Sequence, residues 1–211
     1  MSGSAFASPP GNRPLVLASA SRIRQEIMKS AGLAFTVDPA DIDEPAVRRQ
    51  LTVDDPSIAP GEVAVALARA KGLSVSARQP GSLVIAADQI LALGSEVFAK
   101  PSTLDEARHT LMRLRGQTHE LVSAVALAQD GDIVWDASDT ARMTMRRFSA
   151  AFVSEYLLRA GSDVCSSVGA YQLEGLGIQL FDEIDGDYFT ILGLPLLPLL
   201  EQLRTRGAMM T

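Results

Sequence analysis

Cysteine is almost absent from the sequence: Cys165 is the single cysteine among 211 residues. A disulfide bond within the chain is therefore excluded, which fits a reducing compartment.

We expect neither a signal peptide nor a membrane span in this sequence. Residues 1–12 are small and polar and have neither the basic start nor the apolar stretch of a signal peptide, so we interpret them as a disordered N-terminal tail. The longest strongly apolar stretch, residues 191–200, is too short to cross a bilayer and contains Pro195 and Pro198. We therefore expect a cytoplasmic protein without a membrane partner.

Positive charge is in the minority, with 19 Lys and Arg residues against 25 Asp and Glu residues. This balance disfavours a nucleic-acid partner, whereas a free nucleotide needs only a local cluster of cations. His109 and His119 lack the spacing of a zinc site, and we expect His119 to be structural. No Walker or Rossmann motif is present. The length suits one domain, with or without two lobes, and we place it at residues 13–207.

The most informative stretch is an apolar run, residues 83–87, that is followed by Asp88. Such a run predicts a buried strand. We expect it to end at Asp88 and to leave the carboxylate at the edge of the core, where open α/β sheets bind ligands. Lys100 lies just before another predicted helix. We interpret Asp88 and Lys100 as facing one phosphate-bearing substrate; the alternative is a turn-capping acid and a solvated lysine.

A second candidate site lies where a predicted strand, residues 15–18, runs into a helix capped by Ser21. The free N–H groups of such a helix end bind anions. Ser19 and Arg24 would add a hydroxyl and a forked cation. A capped surface helix with a solvated arginine is the alternative.

Three carboxylates lie among residues 41–44, including Glu44. Oxygen ligands of this kind suit Mg²⁺ or Mn²⁺, although an acidic run is more often a solvated loop. A helix is predicted over residues 61–78, where Lys71 borders the apolar face. Lys71 could reach into a cleft, or it could extend to solvent as lysines commonly do.

The rest of the chain predicts a helix after Thr103, strands at 119–128 and 133–147 joined by an Asp-Gly hairpin, and a helix over 150–160. Residues 168–177 hold three glycines around Tyr171 and Glu174, which indicates a loop that approaches something closely. A final helix is predicted after Pro195.

Taken together, these pieces resemble the Maf family of nucleotide pyrophosphatases, and the likeness runs from about residue 15 to residue 203. Eight short motifs occur in the family's order. They are Leu-Ala-Ser-Ala-Ser at 17–21 with Arg24, Asp-Ile-Asp-Glu at 41–44, Ala-Arg-Ala-Lys at 68–71, Ala-Asp-Gln at 87–89, Lys-Pro at 100–101, Gly-Gln-Thr-His at 116–119, Gly-Ala-Tyr at 169–171 with Glu-Gly-Leu-Gly at 174–177, and Gly-Asp-Tyr at 186–188 with Gly-Leu-Pro at 193–195.

The resemblance implies a mixed α/β fold like that of inosine triphosphatases, with a mixed sheet, flanking helices and two lobes around a central cleft. It implies hydrolysis of a nucleoside triphosphate to the monophosphate and pyrophosphate with a divalent metal (Mg²⁺, Mn²⁺ or Co²⁺). Asp88 matches the family's proton acceptor. The family's phosphate and metal positions fall on Ser19, Arg24, Glu44, Lys71 and Lys100, and we expect Glu44 and Asp88 to hold the metal. A homodimer is implied only by the family.

Three positions bear on the nucleotide base. Ile23 replaces the first of two paired arginines of the dTTP/UTP-hydrolysing group, Gln89 replaces its threonine, and Glu174 lies in the glycine loop. These residues resemble the 7-methyl-GTP pyrophosphatases, and a glutamate accepts well from guanine N1–H and N2–H₂ groups. The alternatives are a dTTP/UTP pyrophosphatase and a non-catalytic, nucleotide-binding regulator of cell division.

Overall fold

The structure, a computed structural model, describes residues 13–209. The tail predicted at residues 1–12 lies outside this range. The chain divides into two compact units. Unit 1 comprises residues 13–88, 123–139 and 193–209 of the described chain, and unit 2 comprises residues 89–122 and 140–192. The prediction of a single domain over 13–207 and that of a central cleft both stay predictions.

The strands form one seven-stranded mixed sheet in the order β2-β1-β3-β5-β6-β7, with β4 also paired to β3. Their bounds are β1 Leu15–Leu17, β2 Thr36–Val37, β3 Leu83–Leu93, β4 Glu96–Phe98, β5 Thr118–Gln129, β6 Asp132–Met145 and β7 Phe181–Asp185. β1 is parallel to β2 and to β3, whereas β3–β4 and β6–β7 are antiparallel. The expected mixed α/β fold is confirmed.

The helices of unit 1 are α1 Arg22–Ser30, α2 Glu44–Asp54, α3 Pro60–Ser76 and α7 Leu196–Thr205. In the core of this unit, Val75 of α3 packs with Val16 of β1 and with Val84 and Ala86 of β3. In β3, residues 83–88 are all buried, as is expected for an apolar strand inside a sheet. This packing places α3 against the strand that carries Asp88.

The helices of unit 2 are α4 Leu104–Leu114, α5 Ala150–Ala160 and α6 Tyr188–Ile191, with 3-10 helices at Gly161–Ser166 and Leu176–Leu180. Its core joins α4 and α5 to β5 and β6 through buried side chains such as Leu111, Leu121, Met143 and Leu157. Across the described residues 13–209, no helix is both long and apolar enough to cross a membrane.

One sequence expectation about β3 is wrong. The strand does not end at Asp88 but continues to Leu93, and Asp88 is only 4% exposed. The reason is that a paired carboxylate does not interrupt the backbone hydrogen bonds of a strand, so an acid can lie within the strand when a cation reaches it. The carboxylate is therefore held by a rigid strand and not by a loop.

Helix α2 was not expected. Asp43 caps it by accepting the N–H of Ala46 at 2.9 Å, and Pro45 lies in its first turn. None of its residues is buried, so it lacks the apolar periodicity that reveals a helix in a sequence. Glu44 is consequently the first residue of a helix and not part of an acidic loop.

Candidate active site

The centre of the candidate site is a buried ion pair between α3 and β3. Nζ of Lys71 donates to Oδ1 of Asp88 at 2.7 Å, and the two side chains are 11% and 6% exposed. Lys71 lies on α3 between Leu67 and Val75, whose burial presses this helix onto the sheet. The alternative in which Lys71 extends to solvent is therefore wrong. Removing two charges from water is costly, and direct pairing offsets that cost.

Glu44 is the second carboxylate at this cation. Its Oε1 accepts from the same Lys71 Nζ at 2.8 Å, and its side chain is 42% exposed. The position of Glu44 follows from the start of α2, which Asp43 fixes by capping. Two carboxylates from different elements thus converge on one ammonium, with the Glu44 side of the group open to solvent.

Arg48 is a site residue that sequence reasoning missed. It lies one helical turn after Glu44 on α2, and its Nη2 is 3.3 Å from Oδ2 of Asp88. Each oxygen of Asp88 is therefore paired with a different cation. The four-residue spacing from Glu44 places both side chains on one face of a helix, but this signal is useful only once α2 is known to be a helix.

The side chain of Arg24 is held by hydrogen bonds to other residues of unit 1. Its Nε donates to the carbonyl oxygen of Gly193 at 2.8 Å, and its Nη1 donates to the carbonyl oxygen of Ala87 at 3.0 Å and to Oγ of Ser19 at 3.2 Å. Within residues 13–209, Nη2 makes no hydrogen bond. Burial lowers the pKa of Arg24, and the negative charges of Asp88 and Glu44 oppose that shift. The guanidinium stays charged and retains donors for a ligand.

Ser19 is buried and lies two residues after the end of β1, while Ser21 caps α1 by accepting the N–H of Arg24 at 3.4 Å. Ile23 is half-buried on the first turn of α1. Unit 1 therefore contains six predicted site residues, of which Ile23 is one. It brings the other five together: Ser19, Arg24, Glu44, Lys71 and Asp88. As site residues, they stay predictions supported by this clustering.

The remaining predicted site residues, Gln89, Lys100 and Glu174, belong to unit 2. Nε2 of Gln89 donates to the carbonyl oxygens of Thr190 at 3.2 Å and of Ile191 at 2.9 Å. Only the NH₂ end of an amide can satisfy two carbonyl groups, so the orientation of Gln89 is set. Lys100 and Glu174 are exposed. Their roles stay predictions.

The residues at Asp88 have the right chemistry for a hard divalent cation. Magnesium is usually held by one or two protein carboxylates, with water and substrate phosphates completing the shell. Glu44 and Asp88 supply two such carboxylates, which lie close together because one oxygen of each pairs with Lys71 Nζ. No group of three or more His, Cys, Asp or Glu side chains in the described part of the chain could hold a metal ion. The donor set thus fits a cation that shares its ligands with a substrate.

His119 belongs to a buried aromatic cluster in unit 2. Its Nε2 is 2.7 Å from the Tyr171 hydroxyl, and both rings lie near Phe181. Burial lowers the pKa of His119 to about 4, so the ring is neutral near pH 7. These contacts support the prediction that His119 is structural.

Comparison with known proteins gives a family match over almost the whole chain. The sequence model of one family, described as "Maf-like protein", matches residues 14–206. A "7-methyl-GTP pyrophosphatase" of Brucella abortus is 52% identical over 190 residues, which covers 90% of this chain and 94% of that protein. A "Nucleoside triphosphate pyrophosphatase" of Bradyrhizobium diazoefficiens is 52% identical over 195 residues, which covers 92% of this chain and 95% of that protein.

A solved structure of a HAM1 protein from Coxiella burnetii aligns with a TM-score of 0.42 and 17% identity, over 64% of this chain and 74% of that chain. A similarity at this level carries no argument about fold or function.

Proposed function

Because this chain belongs to the Maf family, we propose that it hydrolyses a nucleoside triphosphate to the monophosphate and pyrophosphate, with 7-methyl-GTP or a related modified purine nucleotide as its substrate. The observation that carries the proposal is the convergence of Lys71, Arg48 and Glu44 around the buried Asp88. Relatives at about half identity that are named for this reaction support it.

Attack at the α-phosphorus requires that the charge of the triphosphate is neutralised and that the water is held in line. Lys71 is a compact cation next to Asp88, and Arg24 offers Nη2 from a guanidinium fixed at Nε and Nη1. Fixed donors of this kind stabilise developing charge because they need no reorganisation during the reaction. Lys100 is proposed to neutralise triphosphate charge as well, and this role rests on the family match alone.

Asp88 is proposed as the group that accepts the proton of the attacking water or holds the divalent metal together with Glu44. A bound Mg²⁺, Mn²⁺ or Co²⁺ would supply an electrophile for the phosphate oxygens and would lower the pKa of a bound water. β3 holds the Asp88 backbone, and Lys71 holds its Oδ1 at 2.7 Å. The carboxylate is therefore already oriented before a ligand arrives, which reduces the cost of positioning.

The choice of base is proposed to rest on Ile23, Gln89 and Glu174. The NH₂ group of Gln89 donates to the backbone carbonyl oxygens of Thr190 and Ile191, which sets the orientation of this amide. Guanine presents N1–H and N2–H₂ donors, whereas thymine presents one N–H. The carboxylate of Glu174 therefore favours a guanine-type base, and methylation at N7 adds positive charge that a carboxylate attracts.

The proposal is tested with a panel of 7-methyl-GTP, GTP, dTTP and UTP, each with Mg²⁺, Mn²⁺ or Co²⁺, and with products identified by ³¹P NMR. We expect monophosphate and pyrophosphate, with the highest kcat/KM for 7-methyl-GTP. Asp88→Asn, which preserves the side-chain shape, should abolish turnover. Asp54→Asn, at the exposed end of α2, is the matched control and should not.

Each alternative has its own outcome. A preference for dTTP or UTP would make the protein a pyrimidine nucleotide pyrophosphatase. No turnover of any nucleotide would favour a non-catalytic regulator of cell division, and full activity of Asp88→Asn would refute the role of Asp88. The homodimer and the cytoplasmic location stay predictions that neither the fold nor the site bears on.

A further inference from the structure

The two cations that pair with Asp88 hold it in different ways. Lys71 is buried, is shared with Glu44 and contacts Oδ1 at 2.7 Å. Arg48 is one-third exposed and contacts Oδ2 at 3.3 Å through Nη2 alone. A longer contact made by a partly exposed side chain is weaker, because water screens the charges and competes for the donor. Of the two, the Arg48 contact is the one that a ligand can displace at low cost.

No other polar group in the described chain binds the Arg48 guanidinium. The backbone carbonyl oxygen of Arg48 accepts from the Thr52 hydroxyl at 3.0 Å, but the side chain has Asp88 as its single polar partner among residues 13–209. A guanidinium binds phosphate oxygens through two parallel N–H donors, which is stronger than a single contact to a carboxylate. A polyphosphate near Asp88 therefore offers Arg48 a better partner than the one it has.

We propose that Arg48 is a displaceable counterion of Asp88, which lowers the affinity of this carboxylate for a divalent cation until a polyphosphate draws the guanidinium away. This inference rests on the proposed role of Asp88 as a metal ligand. Towards the metal, Arg48 acts through Asp88 and is a positioning residue. Its consequence is that nucleotide and metal bind with positive coupling, and such coupling is reciprocal.

The test measures binding of Mn²⁺ alone to the full chain without nucleotide, by electron paramagnetic resonance of the free ion. Arg48→Gln removes the counterion and keeps a residue suited to a helix. We expect it to bind Mn²⁺ more tightly by about twofold to fivefold, the range that corresponds to one partly exposed ion pair. It should also raise the KM for the nucleotide with little change in kcat.

Arg49→Gln is the matched control, because it removes the same charge from the next position of α2. Arg49 is exposed, and its side chain makes no ion pair within residues 13–209. We expect its Mn²⁺ affinity to change by less than about twofold, since an exposed charge is screened. An equal gain in both variants would overturn the inference, because it would reflect net charge and not the contact with Asp88.

An unchanged or weaker Mn²⁺ affinity of Arg48→Gln would also overturn it. If Arg48 were merely structural, Arg48→Gln would lower the free energy of unfolding and would leave Mn²⁺ binding unaltered. If neither the unaltered chain nor Arg48→Gln binds Mn²⁺, this inference is refuted. Failure of the proposed reaction itself is recognised separately, by an absence of turnover across the nucleotide panel.

Discussion

The buried histidine of unit 2 should make the protein less stable in mild acid. His119 is 1% exposed, and its Nδ1 has no hydrogen-bond partner in the part of the chain that the structure describes. Protonation would place a charge and an unsatisfied N–H group in this apolar cluster, beside Tyr171, whose pKa burial raises. Folding therefore opposes protonation of His119, and the unfolded chain binds the proton more readily.

The size of the effect follows from the two pKa values. The pKa of His119 falls from 6.5 to about 4 on burial. The stabilisation from keeping the ring neutral is fully present above pH 6.5 and is lost as the pH falls towards 4, because the unfolded state binds more protons in that window. At about 1.4 kcal/mol for each pKa unit, the loss reaches about 3 kcal/mol near pH 4.

Urea denaturation at several pH values between 4 and 7 measures this loss as the slope of the unfolding free energy against pH. His119→Phe removes the titrating group and should remove the part of the slope that corresponds to one proton, although it also lowers stability at pH 7 by losing the contact with Tyr171. His109, which is exposed on α4, provides the control, and His109→Gln should keep the slope. A His119→Phe variant with the same slope as the unaltered chain would refute the argument.

Two further perturbations test the packing and the ion pair. Lys71→Met should abolish turnover and cost about 3–5 kcal/mol in the free energy of unfolding, because it leaves Asp88 buried without its shortest-contact cation; an active variant would contradict the proposed site. Gly169→Ala should cost about 1–3 kcal/mol in a thermal or urea melt, because the added Cβ would overlap the ring of the buried Tyr171. Gly175→Ala is its control, since the nearest atom to its Cβ is 3.8 Å away, and equal losses in both would disprove the steric explanation.

Regular elements with apolar periodicity or turn residues were predictable from the sequence. The helix at Ala150–Ala160 lies at the predicted positions, and the hairpin between β5 and β6 turns at Asp130 and Gly131 as expected. Helix α2 was not predictable, because none of its residues is buried and no apolar face repeats along it. The full length of β3 was missed for a related reason. In a sequence, a charged residue after an apolar run indicates the end of the strand.

The sequence by itself determined the family and the order of the motifs that hold Ser19, Arg24, Glu44, Lys71 and Asp88. The order of short motifs is a property of the amino-acid sequence and does not depend on how the chain folds. Only the tertiary structure decided which cation meets which carboxylate oxygen. The ion pair of Arg48 with Asp88 joins residues 40 positions apart, and it depends on how α2 and α3 pack against β3, which no local pattern of residues encodes.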